Sequence, residues 1–218
     1  MGAGPFKTFE GIGDDDRRRL TAIVVIGLAA FVVETLAGQF ADSQSLKTDA
    51  LDFLAEGVGC AIPLWAAGKP HPVRSIIAIA QGAGLLTVGL LVAATTLYHF
   101  FVPTLPDAGI VGFVGLLALG ANAGVVWMLR AHRDAPTSMR PVWLRARDDS
   151  IGNVAVIVVA GLVAVLGNGA PDLIVAGVMA ALFLVSAVQM LRQGMTEWRE
   201  LKEADAFPHR EHSTPPEP

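Results

Sequence analysis

A single cysteine, Cys60, is all the thiol the chain carries, which excludes an internal disulfide and a multi-cysteine metal cluster. It falls on an apolar face and reads as a packing residue. Charge is scarce too. Only 17% of the 218 residues are charged while 53% are hydrophobic, and the mean hydropathy is +0.53. A soluble domain of this length carries more charge and fewer unbroken apolar runs. The net charge of −4 gives no basic surface for nucleic acid. Enzyme signatures are missing as well: there is no His-Glu-x-x-His helix, no Gly-x-Ser-x-Gly elbow and no Gly-rich phosphate loop. No cleavable signal peptide is expected, because the first apolar run starts only after Arg17, Arg18 and Arg19 and is full length.

What the chain does have is six stretches long enough to cross a bilayer, which takes about 20 mostly apolar residues. They lie near 20–40, 46–68, 76–101, 109–129, 142–166 and 172–192. Turn-rich text separates them: ADSQ at 41–44, KPHP at 69–72, PTLPD at 103–107, DAPTS at 134–138 and GNGAPD at 167–172. The expected fold is therefore all-α, a polytopic membrane protein of six transmembrane helices. Residues 1–19 form an N-terminal segment, 20–192 the membrane domain and 193–218 a short tail. The tail's first half can extend the sixth helix, and its Pro-rich end, with His209 and His212, reads as solvated and disordered. Asp14, Asp15 and Asp16 read as a solvated charge run or a helix N-terminus rather than a metal lure.

Lys and Arg fix the orientation. Of the 16 in the chain, only Lys47 lies in a gap or span end on one side of the membrane, and all the others lie on the opposite side. The positive-inside rule then places both termini in the cytoplasm.

Asp49, Asp52 and Glu56 sit at i, i+3 and i+7 of the second span, which stacks three carboxylates on one helix face. A carboxylate in a span is costly and is tolerated mainly beside a polar cavity, a partner charge or a cation. A second acidic pair, Asp148 and Asp149, opens the apolar run of the fifth span. At about 1.5 Å rise per residue, Glu56 lies roughly 15 Å below the outer boundary and Asp149 roughly 10 Å above the inner one. In a core about 30 Å thick the two differ by only roughly 5 Å in depth. A shared cation site near the midplane is within reach, with Asp52 one turn further out. Asp49 divides evenly between that path and an interfacial position. Glu34 in the first span is a candidate for a proton path or for hydrogen bonding between helices. Asn122 and Asn153 are candidates for the cavity wall or for interhelical glue. His99, beside Tyr98, reads as an interfacial anchor.

At these residues the chain resembles the cation diffusion facilitators, six-span transporters that expel divalent metals against protons. The family's second span carries Ala-Asp and then His/Asp-x-x-x-Asp; here SLKTDALDFLAEG gives Thr48-Asp49 and Asp52-x-x-x-Glu56. Its fifth span carries His/Asp-x-x-x-Asp, and RARDDSIGNVAVIV gives Arg145-x-x-x-Asp149. The text around Glu34 and Gly38 also follows the family's first-span exit. The similarity covers roughly residues 17–192 and is to the short branch that ends after the sixth span, without the usual cytoplasmic metal-binding domain.

The resemblance implies export of a divalent cation by proton antiport across the plasma membrane, by a homodimer embedded in the lipid bilayer and needing no cofactor. Zn²⁺ is the first choice, with Co²⁺, Cd²⁺, Mn²⁺ or Fe²⁺ as further candidates. Metal ligands would be Asp52, Glu56 and Asp149; Asp49, Asp148, Glu34 and Asn153 are candidates for a metal or proton path. Two departures stand out within the spans. Glu56 replaces the usual Asp, and Arg145 stands where a ligand is expected although a guanidinium cannot coordinate a cation. The expected role for Arg145 is to snorkel to the cytoplasmic interface or to pair with Asp148 or Asp149, ahead of a role as a counter-charge displaced by metal. A transport-inactive structural or regulatory subunit is the alternative reading, and an intramembrane aspartyl protease a distant one.

Overall fold

The computed structural model describes residues 13–66, 71–133 and 140–206. Six helices carry almost all of them: α1 (Asp14–Phe40), α2 (Gln44–Ala66), α3 (His71–Phe101), α4 (Ala108–Met128), α5 (Arg140–Leu166) and α6 (Ala170–Ala206). Each contains one of the six expected spans, apart from the last residues of the second and fourth, and no strand occurs among the described residues. The differences are at the ends. α1 begins six residues early, with Asp14, Asp15 and Asp16 in its first turn, where they favour the positive end of the helix dipole. α6 runs on to Ala206, so the first half of the tail is helical. His209, His212, Lys7 and the whole DAPTS gap lie outside the described residues.

Local chemistry sets the boundaries. The Asp107 side chain accepts hydrogen bonds from the backbone N–H of Gly109 and Ile110, at 2.9 and 3.0 Å, and so caps α4. α5 ends at Gly167, whose φ of 64° is the left-handed conformation that closes a helix. α1 turns into α2 through Asp42, with φ 51°, and the Ser43 N–H closes the turn on the Gly38 carbonyl at 3.0 Å. Asp tolerates that region better than most side chains do.

Five of the described helices, α1, α3, α4, α5 and α6, are long and apolar enough to cross a membrane. α2 falls short because Lys47, Asp49, Asp52 and Glu56 interrupt it. Its place in the bundle resolves the conflict, since α2 packs against α1, α3, α5 and α6. Antiparallel contact with α1 follows two close approaches. A Cβ on Gly27 would lie 3.1 Å from the Phe53 carbonyl oxygen, and one on Gly38 would lie 2.9 Å from the Lys47 stem. At about 1.5 Å per residue α2 is roughly 34 Å long, enough to span the same depth as α1. The outer helices show large apolar side chains such as Val25, Leu91, Leu116, Val158 and Leu182 to the surroundings, while Glu34, Asp49, Glu56, Asn122 and Asn153 are buried. Apolar outside and polar inside is what a lipid solvent selects, and the protein is an all-α polytopic membrane protein.

One carboxylate joins the first turn of α6 to the start of α2. Asp172, in the first turn of α6 and 1% exposed, accepts hydrogen bonds from the hydroxyls of Ser43 and Ser45 and from the backbone N–H of Gln44 and Ser45. It thereby caps α2 across the bundle, which satisfies N–H groups that a helix start leaves free. Removing it strands four buried donors, and charge-assisted bonds of this kind contribute about 1.5–3 kcal/mol each before relaxation. Asp172→Ala is therefore expected to lower the thermal unfolding midpoint in lipid nanodiscs clearly, and Asp172→Asn to lower it less. An unchanged midpoint in the alanine variant would contradict this role.

Candidate metal-transport site

The buried side chains are arranged in layers. One apolar cluster joins Leu20 and Ile23 of α1, Cys60 of α2, Val125 of α4, and Val142 and Ala146 of α5. A second joins Leu46 of α2, Val111 and Val114 of α4, Val156 and Ala160 of α5, and Met179 of α6. Between them, on every one of four helices, the buried and half-buried residues turn polar: Glu34 on α1, Asp49, Asp52 and Glu56 on α2, Asn122 on α4, Asp149 and Asn153 on α5. Because α1 and α5 run opposite to α2 and α4, these residues fall in one layer midway along the bundle. The periodicity behind it is that of the helix itself, since Asp49, Asp52 and Glu56 share the face that α1 and α5 cover.

Within the layer two of the expected ligands, Asp52 and Asp149, flank one guanidinium. Arg145 approaches a carboxylate oxygen of each within 4 Å, and Glu56 follows Asp52 by one turn of α2. Asp52 and Asp149 keep side-chain exposures of 24% and 15%, whereas Glu56 is 3% exposed. The exposure faces a cleft of about 910 Å³ between α5 and α6, lined by Asp52, Arg145, Asp149, Gly152, Met179, Phe183 and Ser186 among others. In this conformation no three Asp, Glu, His or Cys side chains among the described residues are gathered tightly enough to hold a metal ion.

Arg145 is part of the reason. Its guanidinium lies 3.9 Å from Asp52 Oδ1 and 3.8 Å from Asp149 Oδ2, between the two carboxylates. Of the roles expected for this residue, its position here fits the pairing one, set between α5 and α2. Two carboxylates within 4 Å compete well against a climb to the interface when the surroundings are apolar.

The other candidates sort clearly. Asp49 is 2% exposed on α2 and Glu34 is 1% exposed on α1, so both carboxyls are buried in the bundle. Both Glu34 oxygens are buried without a hydrogen-bond partner. Asn122 and Asn153 are buried with amide atoms unpartnered in the same layer. Asp148, although it borders the cleft, is 59% exposed and held by Arg147 at 2.7 Å. Successive helix residues are about 100° apart, so only one of Asp148 and Asp149 can face α2. His99 bonds the Thr95 carbonyl at 2.7 Å near the outer end of α3, away from the layer. Sequence reasoning missed Asp172, which reads there as an ordinary first-turn acid of α6.

Comparison with known proteins identifies the family. The family model of the cation efflux transmembrane domain matches residues 20–197. The zinc transporter ZitB of Yersinia pestis is 24% identical over 200 residues, covering 86% of this chain and 64% of the relative. ZitB of Yersinia pseudotuberculosis serotype I is 22% identical over the same coverage. The chain thus spans somewhat under two thirds of the length of these curated relatives. With its six-helix bundle and acidic central layer, the chain belongs to the cation efflux family, the cation diffusion facilitators.

Proposed function

We propose that the protein exports a divalent metal cation from the cytoplasm across the plasma membrane in exchange for protons, with Asp52, Glu56 and Asp149 as ligands. The observation that carries this reading is a charge imbalance. Asp52 and Asp149, with Glu56 one turn along α2 from Asp52, have a single guanidinium among them, and a cleft opens beside them. Surplus negative charge in such surroundings calls for a cation. Carboxylates and water give an oxygen shell, which hard and borderline divalent ions accept. A metal binds only deprotonated carboxylates, so loading releases protons and couples occupancy to a proton gradient.

Zn²⁺ is the first choice because the relatives are zinc transporters. Co²⁺, Cd²⁺, Mn²⁺ and Fe²⁺ follow, since the layer has neither thiolate nor imidazole to favour softer ions. Asp49, Glu34 and Asn153 are placed to pass protons or to hold the ligands. Both termini face the cytoplasm, and the working unit is a homodimer. Arg145 supports a second reading, a transport-inactive subunit whose site a built-in cation fills.

Purified protein in proteoliposomes separates the two. Zn²⁺ flux driven by an opposing pH gradient is expected from wild type, while Asp52→Ala and Asp149→Ala each abolish it and keep the native unfolding transition. Asp148→Asn is expected to change flux less than about threefold, as befits a carboxylate paired at the surface. Unchanged transport in both alanine variants would remove the proposed site, and no flux from wild type would favour the inactive subunit. A competition series then ranks the metals; strict rejection of Zn²⁺ would overturn that choice of substrate.

A further inference from the structure

Arg145 occupies the site without being locked into it. A structural arginine–carboxylate bridge is normally bidentate, with nitrogen–oxygen distances near 2.7–2.9 Å. Here the two contacts are 3.8 and 3.9 Å, beyond hydrogen-bond range. The Arg145 Nε and Asp149 Oδ2 are both buried without a hydrogen-bond partner. The side chain is 38% exposed and borders the cleft of about 910 Å³, so it has room to leave. By contrast Arg147, two residues on, holds Asp148 with two bonds of 3.0 and 2.7 Å. One arginine of α5 makes a firm pair at the surface and the other a loose one in the core.

We propose that Arg145 is a tethered counter-cation that stands between Asp52 and Asp149 when the site is empty and is displaced into the α5–α6 cleft when a divalent metal binds. This rests on the metal-site reading above and adds to it what sets the affinity. Metal and guanidinium need the same oxygens, Asp52 Oδ1 and Asp149 Oδ2, and a guanidinium has no lone pair with which to join the shell. Each therefore excludes the other. Loading becomes an exchange of cations rather than the filling of a bare acidic pocket. The arginine weakens metal binding, and its return assists release. It also keeps α2 and α5 bridged in the empty transporter, where facing carboxylates would otherwise repel.

Zinc titration by calorimetry at one fixed pH tests this on the full-length protein in nanodiscs. Arg145→Gln is expected to bind Zn²⁺ at least about tenfold more tightly than wild type, a difference of about 1.4 kcal/mol. Saturating Zn²⁺ should also raise its unfolding midpoint more than it raises that of wild type, a readout that a purely structural bridge would not move. Arg145→Lys keeps the charge but cannot span two carboxylates as a planar fork does. Its affinity should fall between the two. Should the glutamine variant fail to fold, the lysine variant decides, and affinity equal to wild type overturns the proposal. Equal affinity in Arg145→Gln, while Asp52→Ala and Asp149→Ala lose binding, overturns it and leaves the metal site standing. Equal affinity in all four variants removes the metal site and this inference with it.

Discussion

Everything in this structure answers to the cost of holding carboxylates in a low-dielectric layer. An acidic residue at the centre of a span costs about 2.5–3.5 kcal/mol on insertion scales. α2 carries Asp49, Asp52 and Glu56 together, so as a helix facing lipid it would not be tolerated. The bundle surrounds it instead: α1, α3, α5 and α6 all pack against α2, and the other five helices turn their apolar faces outwards. Apolar clusters flank the layer on both sides along the four helices that build it.

The same cost explains the pairing pattern. Asp172 is buried at the outer end of the bundle but is fully engaged as an acceptor, so it serves as a structural clamp on α2. Asp52, Glu56 and Asp149 have only one loosely placed guanidinium among them. A fully satisfied buried acid stabilises a fold; an under-satisfied group of them stores a demand for a cation. The contrast between these two acidic clusters within one chain separates architecture from transport more clearly than burial alone.

Much of this was legible in the chain. The six helices follow from apolar runs divided by Pro- and Gly-rich text, and the facing of α2 and α5 follows from matching depths along antiparallel helices. Glu34 and Asn153 read as interior polar residues and are fully buried. Three features were not legible. Asp172 caps a helix start more than 120 residues away, a contact that no local pattern encodes. Asp148 and Asp149 are adjacent in sequence, and only the packing of α5 decides which one faces α2. For Arg145 the local text permits both snorkelling and pairing; Asp52, arriving from another helix, tips the balance.

The central claim is that a metal ion is held by oxygen ligands from α2 and α5 and by nothing else. Zinc K-edge X-ray absorption of untagged, Zn²⁺-loaded protein tests it most directly. The account predicts a single shell of oxygen scatterers near 2.0–2.2 Å that is lost in Asp149→Ala. A sulfur shell near 2.3 Å, or the outer-shell scattering of a bound imidazole, would contradict it by moving the metal to Cys60 or to a histidine outside the layer.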